Sequence, residues 1–173
     1  GNEIWYLSAF AGLCHAIQSG AYELQRSEFD FWGKGKKSAA LPNINEMIKA
    51  GEYKSSIGKI SNQIHIGYIR MQYTFSGVDH TFRNSLKEVL SLAPEKENEV
   101  RTLYRELYTP AVNSWSLLCA NYRTLAIFTA SIIGEPQYYF WFEVVILNLT
   151  LIFLVQKQKL INNIFTLKLK EII

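Results

Sequence analysis

The stretch that decides the fold is the last apolar block, YYFWFEVVILNLTLIFLV, which runs from Tyr138 to Val155. It contains a single charged residue, Glu143, and it is followed by Lys157 and Lys159. Roughly 20 apolar helical residues cross a bilayer core about 30 Å thick, and the block with its flanking glutamines has that length. Its aromatic residues crowd one end and the lysines follow the other, as is typical of a span anchored at both interfaces. The block therefore predicts a membrane helix.

Composition limits the classes of protein to which the chain can belong. A length of 173 residues is enough to bury a core, and a formal net charge of +3 is too small to indicate a nucleic-acid partner. Cys14 and Cys119 lie far apart in apolar runs, without CxxC or Cys/His metal spacing, so buried free thiols are expected. The chain begins at Gly1 without a secretory signal pattern, which predicts a fragment or a processed product.

Outside the last block the pattern is helical, and the whole chain predicts an all-α fold. We expect about three membrane spans with an inserted cytoplasmic helical region. The predicted segments are a membrane helix that emerges at the interface (1–33), a polar helical insert (34–108), a transmembrane helical hairpin (109–157) and a basic C-terminal tail (158–173). The first helix is expected over Glu3 to Trp32 and the hairpin is expected to open at Thr109–Pro110, with threonine as the cap.

The polar insert is expected to hold a loop with short helical pieces over residues 38–53 and then three helices. The first begins near Ser55, the second follows Asp79 as its N-cap, and the third begins near Pro94. Apolar residues on the first of these three helices step by three and four and form one stripe: Ile57, Ile60, Ile64, Tyr68, Met71 and Phe75.

The distribution of lysines predicts the orientation of the spans. Lys34, Lys36 and Lys37 follow the first span, and two more lysines follow the last. The turn from Gly134 to Gln137 contains no lysine or arginine. Because cytoplasmic loops are enriched in these residues, the middle region and the C-terminus are expected in the cytoplasm and the turn outside.

Four polar residues of the first helix are candidate substrate-binding residues: His15, Gln18, Glu23 and Arg26. Three of them step along one face through Tyr22, with Glu23 beside it. Such a stripe on a helix leaving the bilayer could line a cavity for a polar headgroup, with Arg26 holding a phosphate and Glu23 orienting it. The alternative is hydrogen bonding between helices together with interfacial anchoring.

Two lone charges in the hairpin form a second candidate. Arg123 and Glu143 lie at similar distances on either side of the predicted turn, so their depths in a membrane are similar. Charges in apolar spans are rare and usually pair or face an interior cavity. We expect an ion pair between the two helices. The alternative is that Arg123 faces an anionic ligand.

Other candidates are weaker. The lysines at 34, 36 and 37 could bind phosphate or lie at an anionic leaflet. No GxGxxG, P-loop, GxSxG or HExxH motif occurs, and no helix presents a cluster of carboxylates suited to a divalent metal. If the protein is an enzyme, its metal site is expected outside this chain.

Two stretches resemble a known family. HAIQSGAYELQRSEFDFWGKGK, from His15 to Lys36, resembles a segment of bacterial CDP-alcohol phosphatidyltransferase-family proteins in which HAxQxxAxExxRxxxxxWxxGK follows a membrane span. ANYRTLAIFTASIIGEPQYYFWFEVVILNL, from Ala120 to Leu149, resembles their closing pair of helices. Together the two stretches cover about a third of the chain, and neither is a catalytic signature.

The resemblance implies the C-terminal portion of an integral membrane enzyme that transfers a phosphoalcohol group from a CDP-alcohol to an acceptor alcohol and releases CMP. It also implies a divalent metal, Mg or Mn, held by the aspartates of D-x2-D-G-x2-A-R-x8-G-x3-D-x3-D. This signature is missing, because Asp30 and Asp79 are the only aspartates, so it is expected upstream and this chain alone is expected to be inactive. A membrane-lipid partner is expected, and a homodimer is left open.

Two other interpretations compete with the transferase. One is a non-catalytic membrane-anchored helical protein whose middle region binds a partner. The other is a soluble helical bundle with the apolar hairpin as its core, which the orientation of the lysines and the length of the last block disfavour.

Overall fold

A computed structural model describes residues 3–52 and 55–172, and within these ranges the chain is helical and contains no strand. The α-helices in chain order are α1 (Glu3–Trp32), α2 (Ile44–Glu52), α3 (Ser56–Phe75), α4 (His80–Leu92), α5 (Glu97–Trp115), α6 (Ala120–Ile133), α7 (Gln137–Trp141) and α8 (Leu147–Ile172). Short 3-10 turns cover Lys37–Ala39, Pro94–Lys96 and Ser116–Leu118, and a π-helical turn covers Phe142–Ile146. The all-α prediction is confirmed for these residues. Positions 1, 2, 53, 54 and 173 of the predicted segments lie outside them.

An aromatic core joins α1, α4, α5 and α8. The rings of Tyr104 and Tyr108 are stacked with their centroids 4.0 Å apart, and Phe165 packs edge-on against both, at 5.5 and 5.8 Å. Phe29 and Leu86 complete the centre of this group. Because Phe165 is fully buried, residues 158–172 continue α8 into the core instead of forming a separate tail.

A second core lies between α1, the end of α5 and the first half of α8. Ala21 packs there with Trp115 and Leu118, and Leu147, Leu151 and Leu154 of α8 complete the group. This core packs the middle of α1 against the end of α5 and the first half of α8.

Two helical stretches, Pro94–Ile133 and Gln137–Ile172, are long and apolar enough to cross a membrane. Only 17% and 22% of their most apolar windows are buried inside the structure, whereas the core helix of a soluble protein is mostly buried. Large apolar side chains of α6 and α8 point outward, including Leu125, Phe128, Ile132, Leu149, Ile152 and Phe153. The first helix is not one of these two, so two of the three predicted spans have a candidate helix among the described residues and the third span stays a prediction.

Local signals account for several helix ends. α1 ends at Trp32, directly before Gly33, as predicted. The carboxylate of Asp79 accepts hydrogen bonds from the backbone N–H groups of Thr81 and Phe82, which confirms the predicted N-cap of α4. Gly134 ends α6 with φ of 81°, in the left-handed region that glycine adopts at no steric cost.

The predicted helix start at Thr109–Pro110 is wrong, because α5 continues through Pro110 to Trp115. The hydroxyl of Thr109 donates to the carbonyl of Arg105 at 2.6 Å and does not cap a new helix. Proline removes one backbone hydrogen bond from a helix. Here the buried side chains on both sides of it, Tyr108 and Trp115, keep the helix docked on α8. The break comes instead at Ser116–Leu118.

The apolar stripe predicted on α3 exists, but it faces outward. Ile57 is 82% exposed and Ile64 is 69% exposed. The buried face of α3 consists of Asn62, Ile66, Ile69 and Gln72, two of which are polar. The packing of α3 on α1 and α2 therefore uses a different face from the most apolar one.

Candidate functional site

A group of polar residues lies between α1, α6 and the start of the last helix, in a part of the molecule whose outer surface is apolar. We call it the polar cluster and define it by five residues: His15, Gln18, Arg123, Glu143 and Asn148. His15 and Gln18 lie on adjacent turns of α1, and Arg123 lies in the first turn of α6. Glu143 belongs to the π-helical turn, and Asn148 lies at the start of α8.

Arg123 and Glu143 form an ion pair at the centre of the polar cluster, as predicted. Nε of Arg123 lies 3.0 Å from Oε1 and 3.2 Å from Oε2 of Glu143. The two side chains are only 3% and 1% exposed. A second guanidinium nitrogen, Nη1, donates to the carbonyl of Leu118 in the 3-10 turn, and Nη2 donates to Oε1 of Gln18 at 2.8 Å. All three guanidinium nitrogens are thus bonded within the protein.

Gln18 joins α1 to both helices of the hairpin. Its Nε2 donates to the backbone carbonyl of Glu143 at 3.0 Å and to Oδ1 of Asn148 at 2.9 Å. In the π-helical turn the N–H of Leu147 donates to the carbonyl of Phe142, one residue further back than in an α-helix. The carbonyl of Glu143 is therefore free to accept from Gln18. Such π-turns occur frequently at functional sites.

His15 gives the polar cluster its accessible edge. Its Nδ1 lies 3.4 Å from Oε1 of Glu143, while about half of the side chain is exposed. The hydroxyl of Tyr139 donates to Oε2 of the same carboxylate at 3.1 Å. The carboxylate of Glu143 is therefore surrounded by Arg123, Tyr139 and His15, and His15 is the most exposed of these three residues.

The structure separates the four predicted substrate-binding residues into two pairs. His15 and Gln18 belong to the polar cluster. Glu23 and Arg26 lie further along α1, where Arg26 Nη2 is 3.5 Å from Glu23 Oε2 and both side chains are about half exposed. The amide of Gln18 is fully buried and bonded within the protein, which is the arrangement of a residue that positions helices. Glu23 and Arg26 remain accessible to a ligand.

The predicted phosphate-binding lysines are partly engaged elsewhere. Lys34 and Lys36 lie 2.7 and 2.8 Å from the carboxylate of Asp30. Hydrogen bonds from these two lysines hold the pKa of Asp30 below its ordinary value. Lys34 and Lys36 therefore form a local ion-pair group with Asp30 at the end of α1. This arrangement favours a structural role for the two lysines over phosphate binding.

Sequence reasoning did not identify Tyr139 and Asn148 as members of this region. Asn148 Nδ2 donates to the sulfur of Cys14 at 3.1 Å and to the carbonyl of Val144 at 2.8 Å. A lone asparagine inside an apolar block is a signal of interhelical hydrogen bonding. The π-helical turn that aims Glu143 has no comparable sequence signal.

A second buried ion pair lies outside the polar cluster, between α1 and α4. Arg83 Nε is 3.1 Å from Oε2 of Glu28, and the indole N–H of Trp32 donates to the same oxygen at 3.2 Å. Burial raises the pKa of Glu28 above its ordinary value, although Arg83 acts in the opposite direction. The other oxygen, Oε1, is buried without a hydrogen-bond partner, which explains why desolvation dominates.

A Glu28→Gln variant is expected to remove a pH dependence of stability. Because the pKa of Glu28 is raised in the folded state, its contribution to the free energy of unfolding is complete below the ordinary pKa of 4.5. This contribution is lost as pH rises through the raised pKa. The wild type is expected to lose stability relative to the variant as pH rises from 4.5 through the raised pKa of Glu28, by about 1.4 kcal/mol per unit of pKa increase. Thermal unfolding across this range measures the difference, and parallel curves would contradict the expectation.

The described residues do not fit the metal site that the resemblance implies. Among residues 3–52 and 55–172 no group of three histidine, cysteine, aspartate or glutamate side chains could hold a metal ion. The carboxylate of Glu143 is already paired with Arg123. No chemical step that uses a metal is therefore assigned to this part of the chain.

Comparisons with protein-family models, with curated proteins and with solved structures find no match to this chain.

Proposed function

We propose that this chain is the C-terminal portion of an integral membrane phosphotransferase that resembles the CDP-alcohol phosphatidyltransferases. The reaction is the transfer of a phosphoalcohol group from a CDP-alcohol to an acceptor alcohol with release of CMP. The observation that supports it is that the two resembling stretches meet in the polar cluster. Gln18 of the first stretch bonds Arg123 of the second across a separation of 105 residues.

The contacts in the polar cluster use residues of both resembling stretches. His15 and Gln18 are the histidine and the glutamine of HAxQ in the first stretch, and Arg123 and Glu143 lie in the second stretch. The resemblance of each stretch to the family does not depend on a contact between the two stretches. Their pairing through buried hydrogen bonds supports a common origin of both stretches in one fold.

The distribution of polarity supports the membrane part of the proposal. Around the polar cluster the interior is charged and hydrogen-bonded, while the outer faces of α6 and α8 are apolar. Polar groups facing the interior and apolar groups facing outward are the arrangement expected in lipid. The first half of α1 also exposes large apolar side chains, Trp5, Phe10 and Leu13, so we propose it as the third span. The lysine pattern then places the middle region and the C-terminus in the cytoplasm.

Within this proposal the described residues have two roles. The polar cluster holds α1, α6 and α8 in one register. Aspartates from another part of the protein then hold the divalent metal, Mg or Mn, beside these helices. Glu23 and Arg26 lie on α1 beyond the polar cluster, toward the proposed cytoplasmic side, where a diphosphate would be bound. Arg26 is suited to hold a phosphate because its guanidinium is planar and permanently charged.

The test is CMP release by the full-length protein encoded at the source locus, purified in detergent with Mg²⁺ or Mn²⁺. CDP-diacylglycerol serves as a lipid-linked donor and CDP-glycerol as a water-soluble donor, each with a panel of acceptor alcohols. Release of CMP that depends on both donor and acceptor would support the proposal. A full-length protein without the aspartate signature and without CMP release would contradict it.

An Arg26→Gln variant of the full-length enzyme separates binding from folding. If Arg26 holds a donor phosphate, the loss of a charge-assisted hydrogen bond of about 1.5–3 kcal/mol raises KM for the donor by about 10-fold to 150-fold. The melting temperature is expected to stay unchanged because the side chain is exposed and, among the described residues, forms an ion pair only with Glu23. An unchanged KM would remove Arg26 from the proposed site.

A second candidate function is a non-catalytic membrane protein whose middle region binds a partner. The outward apolar face of α3 favours it, because contiguous apolar surface on a soluble part of a protein often marks an interaction site. The CMP assay separates the two candidates.

A further inference from the structure

The outward face of α3 is a continuous apolar surface. We call it the α3 stripe and define it by Ile57, Ile60, Ile64, Tyr68 and Phe75, all of which are exposed. These residues step by three, four, four and seven along a helix of 20 residues and so share one side. Exposed apolar residues scattered singly need no explanation, but a row of five on one helix does.

The end of α3 lies at the level where the apolar part of the molecule stops. Nε2 of Gln72 donates to the carbonyl of Gly20 at 3.2 Å, just after the last residue of the polar cluster on α1. Gly77 packs so closely on α8 that a Cβ atom there would lie 3.0 Å from Cγ1 of Val155. Val155 ends the apolar block that precedes Lys157. α1 therefore changes from apolar to polar near the end of α3, and α8 does so beside Gly77 in the turn that follows α3.

The charges of α3 are of one sign. The helix contains Lys59 and Arg70 and no acidic residue. Both are exposed and lie on the polar side of α3, about 130–150° around the helix from the centre of the α3 stripe. Neither forms an ion pair with another described residue. A helix with an apolar face and basic residues on its polar face is typical of one that lies in the plane of a membrane interface, and anionic lipids attract such basic residues.

We propose that α3 lies in the interface of an anionic bilayer, with the α3 stripe inserted among the lipids and Lys59 and Arg70 at the headgroups. The proposal rests on the membrane location proposed above and is independent of the transferase activity. A bilayer is favoured over a protein partner as the occupant because the end of α3 lies at the boundary of the apolar region and the helix has only basic charges.

The test is spin-label accessibility in nanodiscs, in a background with Cys14→Ser and Cys119→Ser. A label at Ile64→Cys reports on the α3 stripe. A label at Gln63→Cys is the matched control, because it is also exposed and points about 100° away on the same helix. In nanodiscs of equal parts phosphatidylcholine and phosphatidylglycerol, the label at 64 is expected to be accessible to oxygen and shielded from an aqueous nickel chelate. The label at 63 is expected to show the opposite.

Charge removal tests the role of anionic lipid. A Lys59→Gln/Arg70→Gln variant is expected to lower the partition of α3 into the anionic interface about 30-fold, from about 1 kcal/mol per basic residue. This loss appears as greater nickel access at 64. Equal nickel access at 64 and 63 in the parent protein would overturn the proposal. So would shielding of 64 from both probes, which indicates a protein partner or a second copy.

A label at Phe128→Cys distinguishes failure of this inference from failure of the membrane location. This side chain is exposed on α6. If the label at residue 128 is accessible to oxygen and the label at residue 64 is accessible to the nickel chelate, only the placement of α3 is wrong. If both labels are aqueous, the membrane location is wrong and the inference on α3 falls with it.

Discussion

Replacing Arg123 by methionine is expected to lower the free energy of unfolding by about 3–5 kcal/mol, the usual cost of removing one partner of a buried ion pair. The carboxylate of Glu143 would be left buried, and Oε1 of Gln18 and the carbonyl of Leu118 would lose their donors. Unfolding of the protein in mixed micelles by titration with dodecyl sulfate measures the change.

A double variant controls for the loss of packing. Arg123→Met/Glu143→Leu removes both charges together, and such a replacement is often neutral or stabilising. We expect the double variant to recover most of the stability lost by Arg123→Met, with a coupling energy well above the roughly 0.5 kcal/mol expected for independent sites. A single variant within about 1 kcal/mol of the wild type would contradict the account of the polar cluster.

Replacing Phe165 by alanine is expected to cost about 3–5 kcal/mol, as is usual for a buried phenylalanine. The ring packs edge-on against Phe82, Tyr104 and Tyr108 and is fully buried. The same titration with dodecyl sulfate measures it. Leu167→Ala is the matched control, because Leu167 lies on the same helix and is largely exposed, so a change within about 0.5 kcal/mol is expected. Equal effects of the two variants would show that the end of α8 is not part of the core.

Features that depend on neighbouring residues were predictable from the sequence. The end of α1 before Gly33, the cap at Asp79 and the turn at Gly134 follow from local backbone chemistry. The ion pair of Arg123 with Glu143 was also predictable, because an isolated charge in an apolar helix needs a partner of opposite sign at a similar depth.

Features that depend on distant packing were not predictable. Proline at 110 signals a helix start locally, but α5 continues because Tyr108 and Trp115 are buried against α8. The burial of Phe165 depends on rings from α4 and α5, so the sequence suggested only a basic tail. The α3 stripe was recognised as apolar, but periodicity alone does not say whether an apolar face meets protein or lipid.

The candidate site was predictable only in part. The helical spacing placed His15, Gln18 and Arg26 on one face. The structure uses the first two against the hairpin and leaves Arg26 exposed beside Glu23. The difference arises because α6 and the start of α8 meet α1 at Gln18 and not at Arg26. Sequence spacing does not show where a neighbouring helix makes contact.

In the proposed membrane location, the outer faces of α6 and α8 contact lipid around a polar interior. Labelling of the protein in lipid vesicles with an apolar diazirine that partitions into the bilayer, mapped by peptide mass spectrometry, tests this location. We expect label on Phe128, Leu149 and Phe153 and none on the buried Leu86 or Phe165. Absence of label from α6 and the first half of α8, or labelling no greater there than on the polar helices α2 and α4, would contradict it.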